Sequence, residues 1–370
     1  MKILHICTDK NIGGAGIWIL NLLKHLDKTR YESAVLLPRG AELVPRLKEA
    51  GIQAIEAPIA EKSLDIKGLA TLRRCISTYA PDIVHTHGSL SGRIAARLSK
   101  KPVILTRHWV SLPDGAKKWG LGSKVVVRIN EGLADIFIAT ARQAAENLEQ
   151  SGIPAGKIRI VLNGAGALEK YPAEKIQAER EKLGARGFTM GMLARLEEVK
   201  GHIYMLKAAE ILKAEGREFK VLFAGTGTEE AKLKEKTLTM GLADRVKFLG
   251  FCENPEQFLN CIDLQINASH TETTCLAILE GMSIGLPTVA SNGGGNPDVI
   301  QDGESGLIFP VSDAPALANC IRRLMEDEAL RETMGKRAGD VFQEKFTGEA
   351  FGARIEAIYQ EIRPGAGKRG

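Results

Sequence analysis

Lys2-Ile3-Leu4-His5-Ile6-Cys7-Thr8, the glycine loop Asn11-Ile12-Gly13-Gly14-Ala15-Gly16 and an apolar-periodic stretch from about Ile17 to Leu26 read as strand, glycine turn and helix. A chain that opens this way starts a doubly wound parallel sheet, because the crossover helix returns right-handed onto one face of the strand. Further strands are expected at Ser33–Leu37, Ile52–Ala57, Asp82–His87, Val103–His108, Ile136–Thr140 and Ile158–Asn163, most of them separated by enough chain for a helix. The same grammar restarts at Phe188–Arg195 and repeats at Lys220–Gly225, Val246–Gly250, Leu264–Ala268, Pro287–Ser291 and Gly306–Phe309. Two α/β, Rossmann-like domains in tandem are implied. We divide them as 1–180 and 181–370, joined through Leu168–Gly187, where the Lys/Glu-rich stretch Glu174–Lys182 reads as a solvated helix. The helix-rich end, from Ala314 to Ile362, supplies a last helix expected to pack back on the first domain.

Length and composition fit this plan. At about 150 residues per domain, 370 residues make two or three domains, and 44% hydrophobic with 26% charged residues argues against disorder. No window reaches the roughly 18–20 consecutive apolar residues of a membrane helix, and the N-terminus runs straight into a strand, so a cytoplasmic protein is expected. Six cysteines without a C-x-x-C pair read as small core residues. Charge is polarised: residues 1–186 hold 29 Lys+Arg against 18 Asp+Glu, a net of +11, and the remaining 21 against 27 give −6.

Several loops carry candidate chemistry. Gly13, Gly14, Ala15 and Gly16 would let backbone N–H groups approach a phosphate or sugar at a helix N-terminus, although a bare strand-to-helix turn explains them equally well. His85 and His87 share one face of a strand; without an Asp, Glu or Cys as third ligand a metal is not expected there. His87 and His108 stand at carboxyl ends of strands, the edge where such sheets take ligands, and His108 is the better placed. Arg195 and Lys200, five residues apart across a turn, can clamp a diphosphate, where the plainer alternative is a charged, solvated loop. Gly225, in Ala224-Gly225-Thr226-Gly227, marks another turn at a strand end. The richest segment runs from His270 to Ala290. In it Glu272 precedes a helix and Glu280 lies on that helix, eight residues on and nearly on the same face. Both acids would face one crevice, with the helix N-terminus offering N–H groups between them. The apolar face Leu276, Ile278, Leu279 and Met282 leaves Glu280 among apolar neighbours.

Taken together, the glycine loop, the His87 and His108 strand ends, the Arg195–Lys200 spacing and the E-x7-E segment followed by Gly-Met-Ser-x-Gly-Leu-Pro-Thr-Val-Ala resemble the family 4 retaining glycosyltransferases. The resemblance covers essentially the whole chain and implies the glycosyltransferase B fold, two Rossmann-like domains facing a central cleft. It implies that Arg195 and Lys200 hold the donor diphosphate, helped by backbone N–H groups around Thr273, Thr274 and Cys275. Glu280 would accept from the ribose hydroxyls, Glu272 would contact the transferred sugar, and Gly225 would sit near the donor. The base would meet backbone atoms of Gly250-Phe251-Cys252-Glu253. His108 would line the donor sugar and acceptor site, Gly14 with its neighbours Gly13, Ala15 and Gly16 would approach the donor phosphate and the acceptor, and His87 would face the acceptor. Catalysis would rest on His108, Glu272, Arg195 and Lys200. Many relatives carry Gly or Pro, an aromatic and Gly after the first Glu, where this chain has Thr273-Thr274-Cys275, which leaves the donor sugar open.

The expected activity is therefore retaining, metal-independent transfer from a nucleoside-diphosphate sugar, with a UDP-sugar as the expected donor and no further cofactor. The acceptor would be a glycan or lipid-linked molecule of bacterial surface polysaccharide or lipopolysaccharide synthesis. Alternatives are a sugar-nucleotide epimerase on the same fold and a non-catalytic sugar-nucleotide-binding partner in glycan assembly. Lys117, Lys118, Trp119, Lys124 and Arg128, around Val125-Val126-Val127, suggest contact with an anionic membrane surface; a solvated helix face is an equal alternative. Nucleic acid is not an expected partner, since no binding motif or stacking platform accompanies the charge.

Overall fold

The computed structural model describes residues 1–108 and 123–363, without the side chains of 123–127. Of the basic stretch from Lys117 to Arg128, only Arg128 is described with its side chain. The chain divides into two units: Met1–Gly164 with the residues from Gly348 on, and Ala165–Thr347.

The first unit holds strands β1 (Lys2–Cys7), β2 (Glu32–Pro38), β3 (Gln53–Ala57), β4 (Ile83–His87), β5 (Val103–Arg107), β6 (Ile136–Ala139) and β7 (Ile158–Ile160). They form one parallel sheet in the order β3-β2-β1-β4-β5-β6-β7. The second unit holds β8 (Thr189–Leu193), β9 (Lys220–Ala224), β10 (Val246–Gly250), β11 (Leu264–Asn267), β12 (Thr288–Ser291) and β13 (Gly306–Phe309). Their order is β10-β9-β8-β11-β12-β13, again all parallel. In each sheet the order reverses beside the first strand, between β1 and β4 and between β8 and β11. Such a switch point opens a crevice at the carboxyl ends of the strands, so the loops after β1, β4, β8 and β11 carry the ligand-facing residues.

Strands covered on both faces read as continuous apolar runs. Most here do, with Ile3, Leu4, Ile6, Ile83, Val84, Val103 and Ile104 fully buried. His5 and His85 break the run: they pair across β1 and β4 and are equally inaccessible.

Two expectations need correction. The division at 180/181 falls inside the helix Ala173–Leu183. That helix buries none of its residues, but Arg180 holds Asp263 through two bonds of 3.0 Å and Glu179 accepts from Gln257, which ties it to the second unit. Charge-rich composition reports exposure, not which body a helix belongs to. The first helix spans Gly14–His25 rather than starting near Ile17, so the glycines form its opening turn. With Gly13 as an N-cap that makes no side-chain bond, the first-turn N–H groups of Gly14, Ala15 and Gly16 have no intrahelical partner. Gly13 and Gly14 are exposed, whereas Ala15 and Gly16 are buried.

The C-terminal helix Gly348–Glu361 completes the first unit. Phe351, Ile355, Ile358 and Tyr359 share one core with Trp18 and Ile19 of the first helix, each apolar side chain worth about 1.5–3 kcal/mol of burial. All six cysteines are free, Cys7 and Cys261 buried and the others partly so. Among the described residues no helix is long and apolar enough to cross a membrane.

Candidate functional site

In the second unit, the loops that follow β8 and β11 are pressed together. Gly201 sits at φ 69° with its hydrogen toward the Ala268 carbonyl, a place no Cβ can occupy. That close approach brings Lys200 to Glu272: the ammonium and carboxylate form an ion pair whose side chains are only 17% and 14% exposed. Ser269 Oγ donates to the same carboxylate oxygen at 3.3 Å. From the other side the Gly295 N–H donates to the Glu272 carbonyl at 3.0 Å. Gly294, at φ 65°, lies so close that a Cβ would collide with the Glu272 carbonyl. Glu272 is thus held from three directions before any ligand arrives.

Gly294→Ala tests this clamp. A strained left-handed residue plus a collision is expected to lower stability by about 1–3 kcal/mol. It should also displace the Glu272 loop, read as a lower unfolding temperature than that of the wild type.

Eight residues on, the helix Leu276–Ser283 buries Ile278, Leu279, Gly281 and Met282. Glu280 is left half-buried between these, and no hydrogen bond or ion pair reaches its carboxylate among the described residues. Burial pushes that carboxyl up to about 7. Its charge in turn helps burial raise the Cys252 thiol, so Glu280 faces the loop after β10. In that loop Phe251 stands 70% exposed. Cys275 precedes the helix as an extended N-cap, held through its sulfur by Asn267 Nδ2 at 3.2 Å. Thr274 is buried, Thr273 partly so.

The structure therefore unites Lys200 with Glu272 and Glu280 with Cys252. Arg195 is exposed, and no hydrogen bond or ion pair reaches its guanidinium among the described residues. The two carboxylates have separate neighbours. Gly225 is a packing residue here, at φ 147° with no room for a Cβ beside the Ala194 carbonyl. Its N–H already donates to the Gly250 carbonyl at 2.7 Å, so it shapes the turns that carry Arg195 and Phe251.

In the first unit the third ring that the sequence reading did not find for His85 and His87 comes from β1. His5, His85 and His87 have ligand nitrogens within 4.8 Å of one another, close enough for a metal ion. Each nitrogen of this set already meets a partner, however. His5 Nδ1 and His87 Nε2 are 3.1 Å apart, and His87 Nδ1 and His108 Nε2 are 2.8 Å apart. His85 meets Tyr359 Oη at 2.9 Å and Thr106 Oγ1 at 2.6 Å, and Tyr359 Oη lies 3.4 Å from His5 Nε2. Trp18 packs edge-on against His85 and His108. Burial lowers all four imidazoles, His5 and His108 to about 3, and in His85 and His87 neighbouring rings add to it. The rings are neutral at physiological pH. His5, Thr106 and Tyr359 were not legible as site residues, although a histidine inside an apolar β-run was a signal. Gly293-Gly294-Gly295, the clamp on Glu272, was equally overlooked.

Comparison with known proteins accounts for both halves. The family described as Glycosyltransferase Family 4 matches residues 12–165 and that described as Glycosyl transferases group 1 matches 174–341. The UDP-Gal:alpha-D-GlcNAc-diphosphoundecaprenol alpha-1,3-galactosyltransferase of Escherichia coli is 27% identical over 354 residues, covering 89% of each chain. The N-acetyl-alpha-D-glucosaminyl L-malate synthase of Bacillus anthracis is 26% identical over 286 residues, 76% of this chain and 75% of its own. Among solved structures, Anabaena HepE in complex with UDP-glucose superposes with a TM-score of 0.85 at 22% identity, covering 98% of this chain and 100% of that one.

Proposed function

The chain belongs to the group 1, family 4 glycosyltransferases and has their B fold; from that premise we propose which substrates it joins and how. The second unit takes a UDP-sugar, and the first presents a glycan or lipid-linked acceptor of bacterial surface polysaccharide or lipopolysaccharide synthesis. Transfer retains the anomeric configuration and needs no metal. The observation that carries this reading is Glu280, a half-buried carboxylate without a partner among the described residues, on a helix facing the loop that carries Phe251 and Cys252. It is a ready acceptor for the paired hydroxyls of a ribose. The E. coli relative named for UDP-Gal and the HepE complex support uridine as the base.

The chemistry follows from charge. As the bond from the sugar C1 to the diphosphate oxygen breaks, negative charge grows on the diphosphate. Lys200, Arg195 and the N–H groups at the start of the helix Leu276–Ser283 stabilise it, the work a metal does elsewhere. Lys200 exchanges Glu272 for the phosphate, which frees Glu272 to accept from sugar hydroxyls. The acceptor oxygen bonds C1 on the face the diphosphate leaves, and its proton passes to a donor phosphate oxygen. His108, at the end of β5, meets the sugar and acceptor.

The test is a panel of UDP-, GDP- and ADP-sugars, with nucleotide release followed with and without membrane-extract acceptor. Acceptor-dependent release from a UDP-sugar, unchanged by EDTA and giving the donor's anomer in the product, is expected. Release without acceptor would favour the epimerase, and binding without release the non-catalytic partner. The reading places the protein at the cytoplasmic membrane face; Lys117→Glu with Lys118→Glu should reduce flotation with anionic liposomes and leave neutral ones unaffected.

A further inference from the structure

A buried hydroxyl fixes the direction of the whole histidine string. Thr106 is fully buried, and its Oγ1 meets one partner, His85 Nε2 at 2.6 Å. A buried O–H with one neighbour donates to it, since leaving the hydrogen orphaned would cost roughly 1–3 kcal/mol. His85 Nε2 is then the bare nitrogen, and a neutral imidazole carries its proton on the other. So His85 Nδ1–H donates to Tyr359 Oη. The tyrosine hydrogen goes to its remaining neighbour, His5 Nε2. His5 then donates through Nδ1 to His87 Nε2, and His87 through Nδ1 to His108 Nε2. The opposite direction leaves the Thr106 hydrogen with no acceptor among the described residues.

We propose that this string, from Thr106 through His85, Tyr359, His5 and His87, fixes His108 as the tautomer with its proton on Nδ1. The Nε2 of His108 is taken by His87, and its Nδ1 has no partner among the described residues, so Nδ1 is the nitrogen left for a ligand. His108 therefore presents an N–H: it is a hydrogen-bond donor to an oxygen of sugar or acceptor, not a base for the acceptor hydroxyl. Thr106, His5 and Tyr359 are positioning residues that act through it. A metal on His5, His85 and His87 would need the nitrogens the string already uses. What the N–H does in turnover rests on the proposed function; the tautomer does not.

The experiment labels histidine with 15N in the full chain and reads both ring nitrogens through two-bond couplings to the ring carbon protons, with His108→Asn assigning the resonance. The wild type should show His108 protonated at Nδ1 and bare at Nε2. Thr106→Val, nearly isosteric, removes the origin of the direction and should let the Nε2–H tautomer of His108 appear, whereas Thr106→Ser keeps the hydroxyl and the wild-type pattern. In turnover Thr106→Val should lose about tenfold in kcat, a modest fraction of what a positioned proton-bearing group contributes, with donor KM unchanged and Thr106→Ser restoring the rate. A wild-type His108 protonated at Nε2, or a His108 pattern unmoved in Thr106→Val, would overturn the proposal. The spectrum needs no turnover, so a protein inert toward every nucleotide sugar would sink the proposed function and leave the tautomer standing.

Discussion

Lys200→Ala is expected to lower kcat/KM by about 10²–10³-fold, the scale for removing one preorganised group from developing negative charge. Two effects add. The diphosphate loses its cation, and Glu272, only 14% exposed, loses its counter-ion while Ser269 and the Gly294–Gly295 loop still hold it in place. An unpaired carboxylate then stands where a diphosphate must bind, so donor affinity should fall with the rate. Lys200→Arg keeps the charge but presents a wide planar fork in place of the compact ammonium that pairs with Glu272. It should recover only a small part of the activity. Nucleotide release and UDP calorimetry on the three proteins separate the losses. A Lys200→Ala enzyme within tenfold of wild type would move the weight to Arg195.

Glu280→Gln is expected to make the protein more stable and less able to bind its donor. The Glu280 carboxyl titrates at about 7 in the folded chain against 4.5 for an unperturbed glutamate. Between those values the native state holds a proton that the unfolded chain has released. The stability it lends is complete below pH 4.5 and is lost as pH rises through 7. A shift of that size corresponds to at most about 3 kcal/mol, so the gain in unfolding temperature from Gln should be small at pH 4.5 and largest at pH 8. Donor binding runs the other way. Ribose hydroxyls donate to the carboxylate, so wild-type affinity should rise as pH passes 7. The Gln variant should bind roughly ten- to a hundredfold more weakly, as for a lost hydrogen bond to a charged group, and show no such pH step. An equal stabilisation at every pH would show that the Glu280 carboxyl is not perturbed.

Strands were legible because burial on both faces leaves a largely apolar signature: all thirteen, from β1 to β13, overlap short apolar runs in the sequence. With the strands came their carboxyl ends, and so the loops that carry His87, His108, Arg195 and Glu272. Contacts that depend on two distant loops meeting were not legible. Spacing did not show that Gly201 and Ala268 set the approach that gives Lys200 to Glu272. Glu280 was marked by its apolar neighbours on one helix, which is local information. Tyr359 reaches His85 across 274 residues of chain, and no periodicity records such a partner. The unit boundary was misplaced for the same reason: Glu174–Lys182 looks solvated in sequence, and only Asp263 reveals where its helix is tied.

The first unit is discontinuous, leaving off at Gly164 and resuming at Gly348, and this orders events on the ribosome. At about 5–20 residues per second, synthesis of the 183 residues between takes roughly 10–40 s. During that time the second unit, continuous in sequence, can finish folding, while Trp18 and Ile19 wait for Phe351 and Ile355. Until then the apolar face of the first helix lacks the side chains that complete its core. His5 has no Tyr359 to meet until the helix Gly348–Glu361 is made, so the first unit matures after the second although its gene segment is read first.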